Sequence, residues 1–509
     1  MRKVIIYGGL SAMALPPLHI FPLLFISLPG LFSEIRRASN RRIAFLVGLT
    51  FGFVHHIFGL YWITEAVLLR ARLFWWLIPI AVPLLAATLA LFIAIPCAMI
   101  FSLRSRILTI ILFSGLWVFS DLARQFILTG FPWNCWGSDL ALPGVLGTYL
   151  IQSASLVGIH GLTLLVLFIS SLYWLGRRGV TLSCSILVIL ICFGSWRIHT
   201  ASLPALGVSA VIVQGNIPET EKWGLRQATE VFRKYLSLTK KGLESEGSGH
   251  RVVVWPETAS PFLLAEDNNA REAVSDVTGA GVPALIGSVR ISQNIPFNSM
   301  VVLDPPPHVA AVYDKWHLVP FGEYQPKWLP DLQLGINSFG RGTGPRTLRV
   351  PGLPPFAPII CYEAIFSGEI VNEKDRPKWL VNITNDAWFG NSAGPRQHLE
   401  AARLRAVEEG LPLVRAANTG ISAAYDALGR IIVRLGMDRS GILFAKLSGP
   451  CRRTVYSRWG LRIPFLLALV CVILALLPII WAAPYEIWGL SHKLRRPFRS
   501  RPILDDFWL

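Results

Sequence analysis

Long apolar stretches crowd residues 4–198 and 460–483, while the segment between them mixes apolar and polar positions as a water-soluble domain does. A membrane-spanning helix needs about 20 largely apolar residues. Runs of suitable length lie near 16–35, 43–68, 73–101, 107–128, 150–175, 180–198 and 460–483, and a shorter run covers 4–14. Pro16-Pro17 breaks the first run from the second and predicts a tight turn between them. The pattern therefore predicts about eight spans.

From 203 to 456 the periodicity changes. Short β-like runs occur at Val208–Val213, Val252–Trp255, Ala284–Val289, Ala357–Cys361, Trp379–Ile383 and Ile431–Leu435, with helical patterns between them. Arg396–Glu409 (RQHLEAARLRAVEE) sets apolar residues at helical spacing among charges, which predicts a helix packed on a sheet. About 250 residues suffice for a layered α/β domain with its own core. The chain thus divides into a multi-span region at 1–200, a folded domain at 203–456, a further span at 457–485 and a basic tail at 486–509.

Composition agrees with a polytopic membrane protein: 53% of residues are hydrophobic and only 16% charged. The formal charge of +17 does not point to nucleic acid, because the basic residues flank apolar runs instead of forming a basic face interleaved with aromatics. Short-loop Lys and Arg mark the cytoplasmic side. With the N-terminus inside, fifteen of them, from Arg2 and Lys3 through Arg177 and Arg178 to Arg501, fall there, and 203–456 lies outside the cytoplasm. Arg70, Arg72, Arg124 and Arg197 remain outside, as do Arg452, Arg453, Arg458 and Arg462, a cluster suited to anionic lipid headgroups. The seven cysteines are odd in number and widely spaced, which predicts neither a disulfide framework nor a zinc site.

Three segments of the outer domain carry chemistry. Ala357–Phe366 (APIICYEAIF) places Cys361 where an apolar strand meets a polar turn, a position that can expose a nucleophile. Val252–Thr258 (VVVWPET) ends a strand at Pro256 and leaves Glu257 beyond it as a candidate base. Tyr313–Tyr324 (YDKWHLVPFGEY) carries Lys315 and Glu323 among aromatics. Singly, the cysteine would be read as a small buried hydrophobe and the charges as solvated. His55-His56 projects in two directions from one helix and is no joint metal site. His317, beside the carboxylates, is read as a hydrogen-bonded structural group, and Cys451 is given no chemistry.

Together, Trp255-Pro256-Glu257, the Lys315–Glu323 stretch and Cys361-Tyr362-Glu363 resemble the nitrilase superfamily. With the flanking spans, and with QGNIPETEKW at 214–223, NDAWFG at 385–390, Gln397-His398 and RAANTGIS at 415–422, the chain resembles that superfamily's membrane-embedded branch, the apolipoprotein N-acyltransferases. The resemblance implies a polytopic helical membrane protein with an inserted αββα sandwich. It implies a Glu257–Lys315–Cys361 triad: base, oxyanion partner and nucleophile, with the Tyr362 amide completing the oxyanion hole. Glu323 would orient Lys315, Tyr362 and Glu363 would shape the pocket, Trp223 would line the lipid entrance, and Asn298, Asn385 and Trp388 would serve as turn and pocket-wall residues. It implies transfer of an acyl group from a phospholipid, typically phosphatidylethanolamine, through a cysteine thioester to the α-amine of diacylglyceryl-cysteine lipoproteins, in a bacterial inner membrane with the catalytic domain on the periplasmic side and without cofactor or metal. A membrane-tethered amidase or nitrilase, delivering the acyl group to water, is the alternative that the triad alone leaves open.

Overall fold

A computed structural model describes residues 1–69, 71–219, 225–245, 249–279, 281–326 and 338–493. Among the described residues, five helices are long and apolar enough to cross a membrane: Arg41–Gly59, Ala81–Ile100, Arg106–Phe126, Gly144–Leu175 and Arg177–Thr200. The runs at 4–14 and 16–35 instead form helices of 11 and 14 residues, Arg2–Ala12 and Leu24–Arg37. At 1.5 Å per residue each is too short to cross a ~30 Å hydrocarbon core alone. The C-terminal helix extends over Arg462–Lys493, with a shorter apolar stretch at Arg462–Pro478. The tail after Lys493 lies outside the described residues.

Small residues let the spans approach closely, as expected where no hydrophobic effect drives helices together. A Cβ added at Gly48 would sit 2.8 Å from the Cα of Ala94 on the neighbouring span. The fourth long helix is kinked at Gly158, whose φ of 68° and ψ of −179° interrupt the helical geometry.

Among the described residues, the domain after the fifth long helix holds eleven strands: β1 (Ala205–Gln214), β2 (Arg251–Val254), β3 (Ala284–Ser292), β4 (Ile295–Leu303), β5 (Val309–Asp314), β6 (Phe356–Ile360), β7 (Trp379–Thr384), β8 (Leu413–Ala417), β9 (Ser422–Tyr425), β10 (Ile431–Leu435) and β11 (Gly441–Ser448). They form a six-stranded sheet in the order β11-β1-β2-β3-β4-β5 and a five-stranded sheet in the order β10-β9-β8-β7-β6. Residues of both sheets, among them Ile212, Val254, Met300, Ile360, Val381 and Val414, make one core between them. Helices Leu225–Ser245 and Asn268–Thr278 cover the outside of the first sheet through Phe232, Tyr235 and Val274. Leu399, Ala402 and Ala406 of helix Gly394–Glu409 cover the second. This is the expected αββα sandwich.

Helix Gly394–Glu409 is covered on both sides, for Leu404 and Val407 pack into the core of the membrane bundle. Arg403, Arg405, Glu408 and Glu409 are therefore buried rather than solvated, and each finds a partner. Arg403 donates to the Gly429 carbonyl and to Thr148, Arg405 pairs with Glu408, and Glu409 pairs with Arg376. One helix joins the two halves of the molecule.

Candidate active site

Strands β2 and β6 end in unbroken, buried apolar runs, so the polar groups of the site come only after the last strand residue of each. Glu257 follows β2, Lys315 follows β5 and Cys361 follows β6; all three are buried, at 5%, 1% and 6% exposure. Lys315 Nζ lies 3.1 Å from Glu257 Oε1 and 3.0 Å from Glu323. Asn298 Nδ2 donates to both carboxylates, at 2.7 Å to Glu257 and 2.8 Å to Glu323. The second oxygen of Glu257 accepts from the Asn385 N–H at 2.8 Å, and that of Glu323 from the Val319 N–H at 2.8 Å.

Electrostatics follow from this packing. Burial alone would raise the Glu257 carboxyl, but the Lys315 charge and hydrogen bonds from Asn298, Cys361 and Lys315 hold it below its ordinary value. Burial also works against the Lys315 ammonium, yet Glu257 and Glu323 beside it keep its pKa well above the usual one. The Cys361 thiol is pushed up, chiefly by burial and next by the Glu257 charge, with Lys315 acting in the opposite sense. The resting site is thus carboxylate, ammonium and thiol. Attack by sulfur requires a base that takes its proton in the same step, and Glu257 is charged and coupled electrostatically to Cys361.

Cys361 sits in the left-handed region at φ 50° and starts a 3₁₀ turn, Cys361–Ile365. A non-glycine residue there costs about 1–3 kcal/mol and persists only where its surroundings fix it. Glu363 fixes one side: it accepts from the Ile360 and Trp316 N–H groups at 2.7 Å each and from the Tyr313 hydroxyl at 3.1 Å. Burial, opposed by those donors and by Lys315, moves the Glu363 carboxyl up to about 7. Tyr362 fixes another side, its hydroxyl donating to the Gly130 carbonyl of a membrane-domain loop at 2.8 Å.

Asn298 lies within β4 and not in a turn, because its side chain points between two carboxylates that need a donor. Asn385 caps the 3₁₀ turn Asp386–Phe389, which carries a half-buried Trp388. Trp223 lies outside the described residues. His317 bonds Glu369 at 2.8 Å and stacks on Phe366 at 3.7 Å. His55 contacts Ser11 and Trp136, and its ring meets that of His56 edge-on. All seven cysteines are free.

Asp121, Cys135 and His160 bring ligand-type atoms within 4.8 Å of one another in the membrane bundle. Arg124 already supplies the positive charge there, 2.9 Å from Asp121 and 3.5 Å from Cys135 Sγ, so the group is poorly suited to a cation. Sequence reasoning assigned no role to the Asp386–His398–Arg415 cluster behind Cys361, although the NDAWFG, Gln397-His398 and RAANTGIS segments contain it.

An αββα sandwich with a buried glutamate, lysine and cysteine at the ends of three strands, joined to a multi-span helical region, defines a membrane-bound enzyme of the carbon-nitrogen hydrolase class. Residues 210–455 match the carbon-nitrogen hydrolase family and residues 7–172 the apolipoprotein N-acyltransferase N-terminal domain. Apolipoprotein N-acyltransferase of Rhodopseudomonas palustris is 37% identical over 92% of this chain and 93% of its own; that of Bradyrhizobium diazoefficiens is 38% identical over 89% and 90%. Among solved structures, an amidase from Nesterenkonia sp. aligns at 16% identity over 51% of this chain and 95% of its own, with a TM-score of 0.36. The chain belongs to the apolipoprotein N-acyltransferase family and is a multi-pass membrane acyltransferase.

Proposed function

We propose that the protein transfers an acyl group from a phospholipid, phosphatidylethanolamine foremost, through Cys361 to the α-amine of a diacylglyceryl-cysteine lipoprotein on the periplasmic face of the inner membrane. The observation that carries this reading is the 3.1 Å contact between Lys315 and Glu257 in a dry site that also holds the Cys361 thiol. Glu257 takes the thiol proton as sulfur adds to the ester carbonyl. The oxyanion forms beside the Lys315 ammonium and the Tyr362 amide. The ester C–O bond then breaks, the proton passes from Glu257 to the leaving oxygen, and lysophospholipid departs. In the second half, the lipoprotein amine adds to the thioester carbonyl, Glu257 removes its proton, and the C–S bond breaks to return the thiol. Ping-pong kinetics follow from one nucleophile serving both halves.

Glu323 and Asn298 would hold Lys315 and Glu257 in register, and Glu363 would hold the turn at Cys361. The membrane helices keep both lipid substrates near the site, which reduces the entropic cost of bringing them together. Purified protein incubated with phosphatidylethanolamine alone should carry a hydroxylamine-sensitive acyl mass on the peptide containing Cys361. Cys361→Ala should form none. An adduct on Cys451, or undiminished transfer by Cys361→Ala, contradicts the mechanism. Fatty acid released at the same rate without acceptor favours a hydrolase.

A further inference from the structure

Behind the nucleophile lies a buried polar chain separate from the Glu257 and Glu323 carboxylates that hold Lys315. His398, fully buried on helix Gly394–Glu409, has its Nε2 2.9 Å from the Cys361 carbonyl oxygen and its Nδ1 2.9 Å from Asp386 Oδ1. A carbonyl oxygen only accepts, so Nε2 carries a proton and donates it. Asp386 is held in turn by Arg415 at 2.7 Å and by the Thr384 hydroxyl at 3.0 Å, and Arg415 also donates to Asn382 at 2.5 Å. Arg415 lies 3.2 Å from His398 Nδ1 as well. Histidine, aspartate and arginine are each at most 1% exposed.

We infer that His398 is a positioning residue for the acyl-transfer reaction, locking the left-handed Cys361 peptide through its carbonyl and so aiming the sulfur at Glu257 and the substrate. Three observations converge on this. The Cys361 backbone is strained, with φ 50°, and needs an external hold. The hold comes from a side chain whose own orientation is fixed by an ion-paired carboxylate. The same turn that carries Asp386 also offers the Asn385 N–H to Glu257, so one two-residue segment sets the base directly and the nucleophile through His398.

The residue before it makes a second connection. Gln397 accepts from the indole N–H of Trp62 at 3.0 Å and of Trp133 at 2.8 Å, and donates to the Pro16 carbonyl at 3.1 Å. Adjacent residues on one helix therefore bind the membrane bundle and the nucleophile.

The inference rests on the proposed role of Cys361, and a pair of substitutions separates the two. Glutamine can place an amide N–H near the position of histidine Nε2, whereas asparagine reaches only to the position of Nδ1. Native, His398→Gln and His398→Asn proteins would be purified as full chains and compared as monodisperse, folded fractions in vesicles of phosphatidylethanolamine. The readouts are the single-turnover rate of acylation at Cys361 and the steady-state kcat and KM for phospholipid. His398→Asn should acylate about 10²-fold more slowly, the scale of a 1 Å misplacement of a reacting atom. Its KM should be unchanged, because His398 is fully buried and its ring nitrogens meet Asp386, Arg415 and the Cys361 backbone, and His398→Gln should recover at least tenfold of the loss. Equal rates in all three proteins, equal losses in both variants, or a better rate for asparagine would overturn the inference while leaving the Cys361 thioester standing. If His398→Asn does not fold, Asp386→Asn replaces it in the comparison: it keeps an oxygen acceptor but removes the charge that pairs with Arg415 and holds the ring, and should slow kcat with KM unchanged, whereas a native rate would overturn the inference. A native protein that turns over with no adduct on Cys361 would sink the proposed function and this inference together.

Discussion

Lys315 is held between Glu257 and Glu323 at about hydrogen-bond length, with 1% of its surface exposed. A compact ammonium fits that space. The planar guanidinium of arginine is larger and cannot place a single donor there without moving both carboxylates, so Lys315→Arg should lose about 10²–10³-fold in kcat although charge is kept. Near-normal turnover by that variant would remove Lys315 from the oxyanion site. A second consequence concerns pH. Glu257 is held below its ordinary value, so its contribution to stability is present above the unfolded carboxylate value of about 4.3 and is lost as pH falls through the lowered folded value. The same proton disables the base. The acid limb of kcat/KM should therefore lie below about pH 4.3, and Asn298→Ala, which removes a 2.7 Å donor to Glu257, should move it upward. A native acid limb centred near pH 6 would mean that another group controls the reaction.

At the scale of elements, the strands that the pattern made visible are those with unbroken apolar runs, such as Val252–Val254 and Phe356–Ile360. Strands β8 and β9 (LVRAA and SAAY) stayed hidden because alanine favours helices and Arg415 looks like a surface residue. Arg415 is buried because Asp386 and Asn382 neutralise and bond it, a pairing across three segments that no local pattern contains. The triad was legible for the opposite reason: each member follows a strand end with its own local signature. Gly158 shows the same limit, since the kink serves a distant partner. It turns the Ile159 N–H toward Glu408 of the catalytic domain at 2.7 Å, while Glu408 also accepts from Ser367 at 2.9 Å. The Tyr456 ring fills the space where a side chain would stand, 2.2 Å from an added Cβ. Gly158→Ala combines a left-handed alanine with overpacking and should destabilise the protein by about 3 kcal/mol. Thermal unfolding in detergent would show a lowered midpoint, and an unchanged midpoint would contradict this account of the kink.

For the whole molecule, the side of the membrane that holds the catalytic domain decides whether exported lipoproteins can reach it. The basic residues of the short loops favour an inside N-terminus. Two of the exceptions are explained by their contacts: Arg124 is buried against Asp121, and Arg197 bonds Gln152 and Cys451, so neither is a free loop charge. The two short N-terminal helices do not disturb the outcome. Arg2–Ala12 and Leu24–Arg37 pack together through Ser27 and the Tyr7 carbonyl and fall short of the membrane thickness alike, so they add two crossings or none. Among the described residues, five further helices long and apolar enough to cross the membrane then precede β1, so an odd number of crossings would separate the N-terminus from the catalytic domain in either case. A reporter fused near residue 300 is therefore expected to read as periplasmic, and one fused after Arg501, beyond the C-terminal helix, as cytoplasmic. In intact spheroplasts, added protease should cut the residue-300 region. Protection of that region would place the site on the cytoplasmic side, away from exported lipoproteins, and would overturn the proposed acceptor while leaving the chemistry of Cys361 untouched.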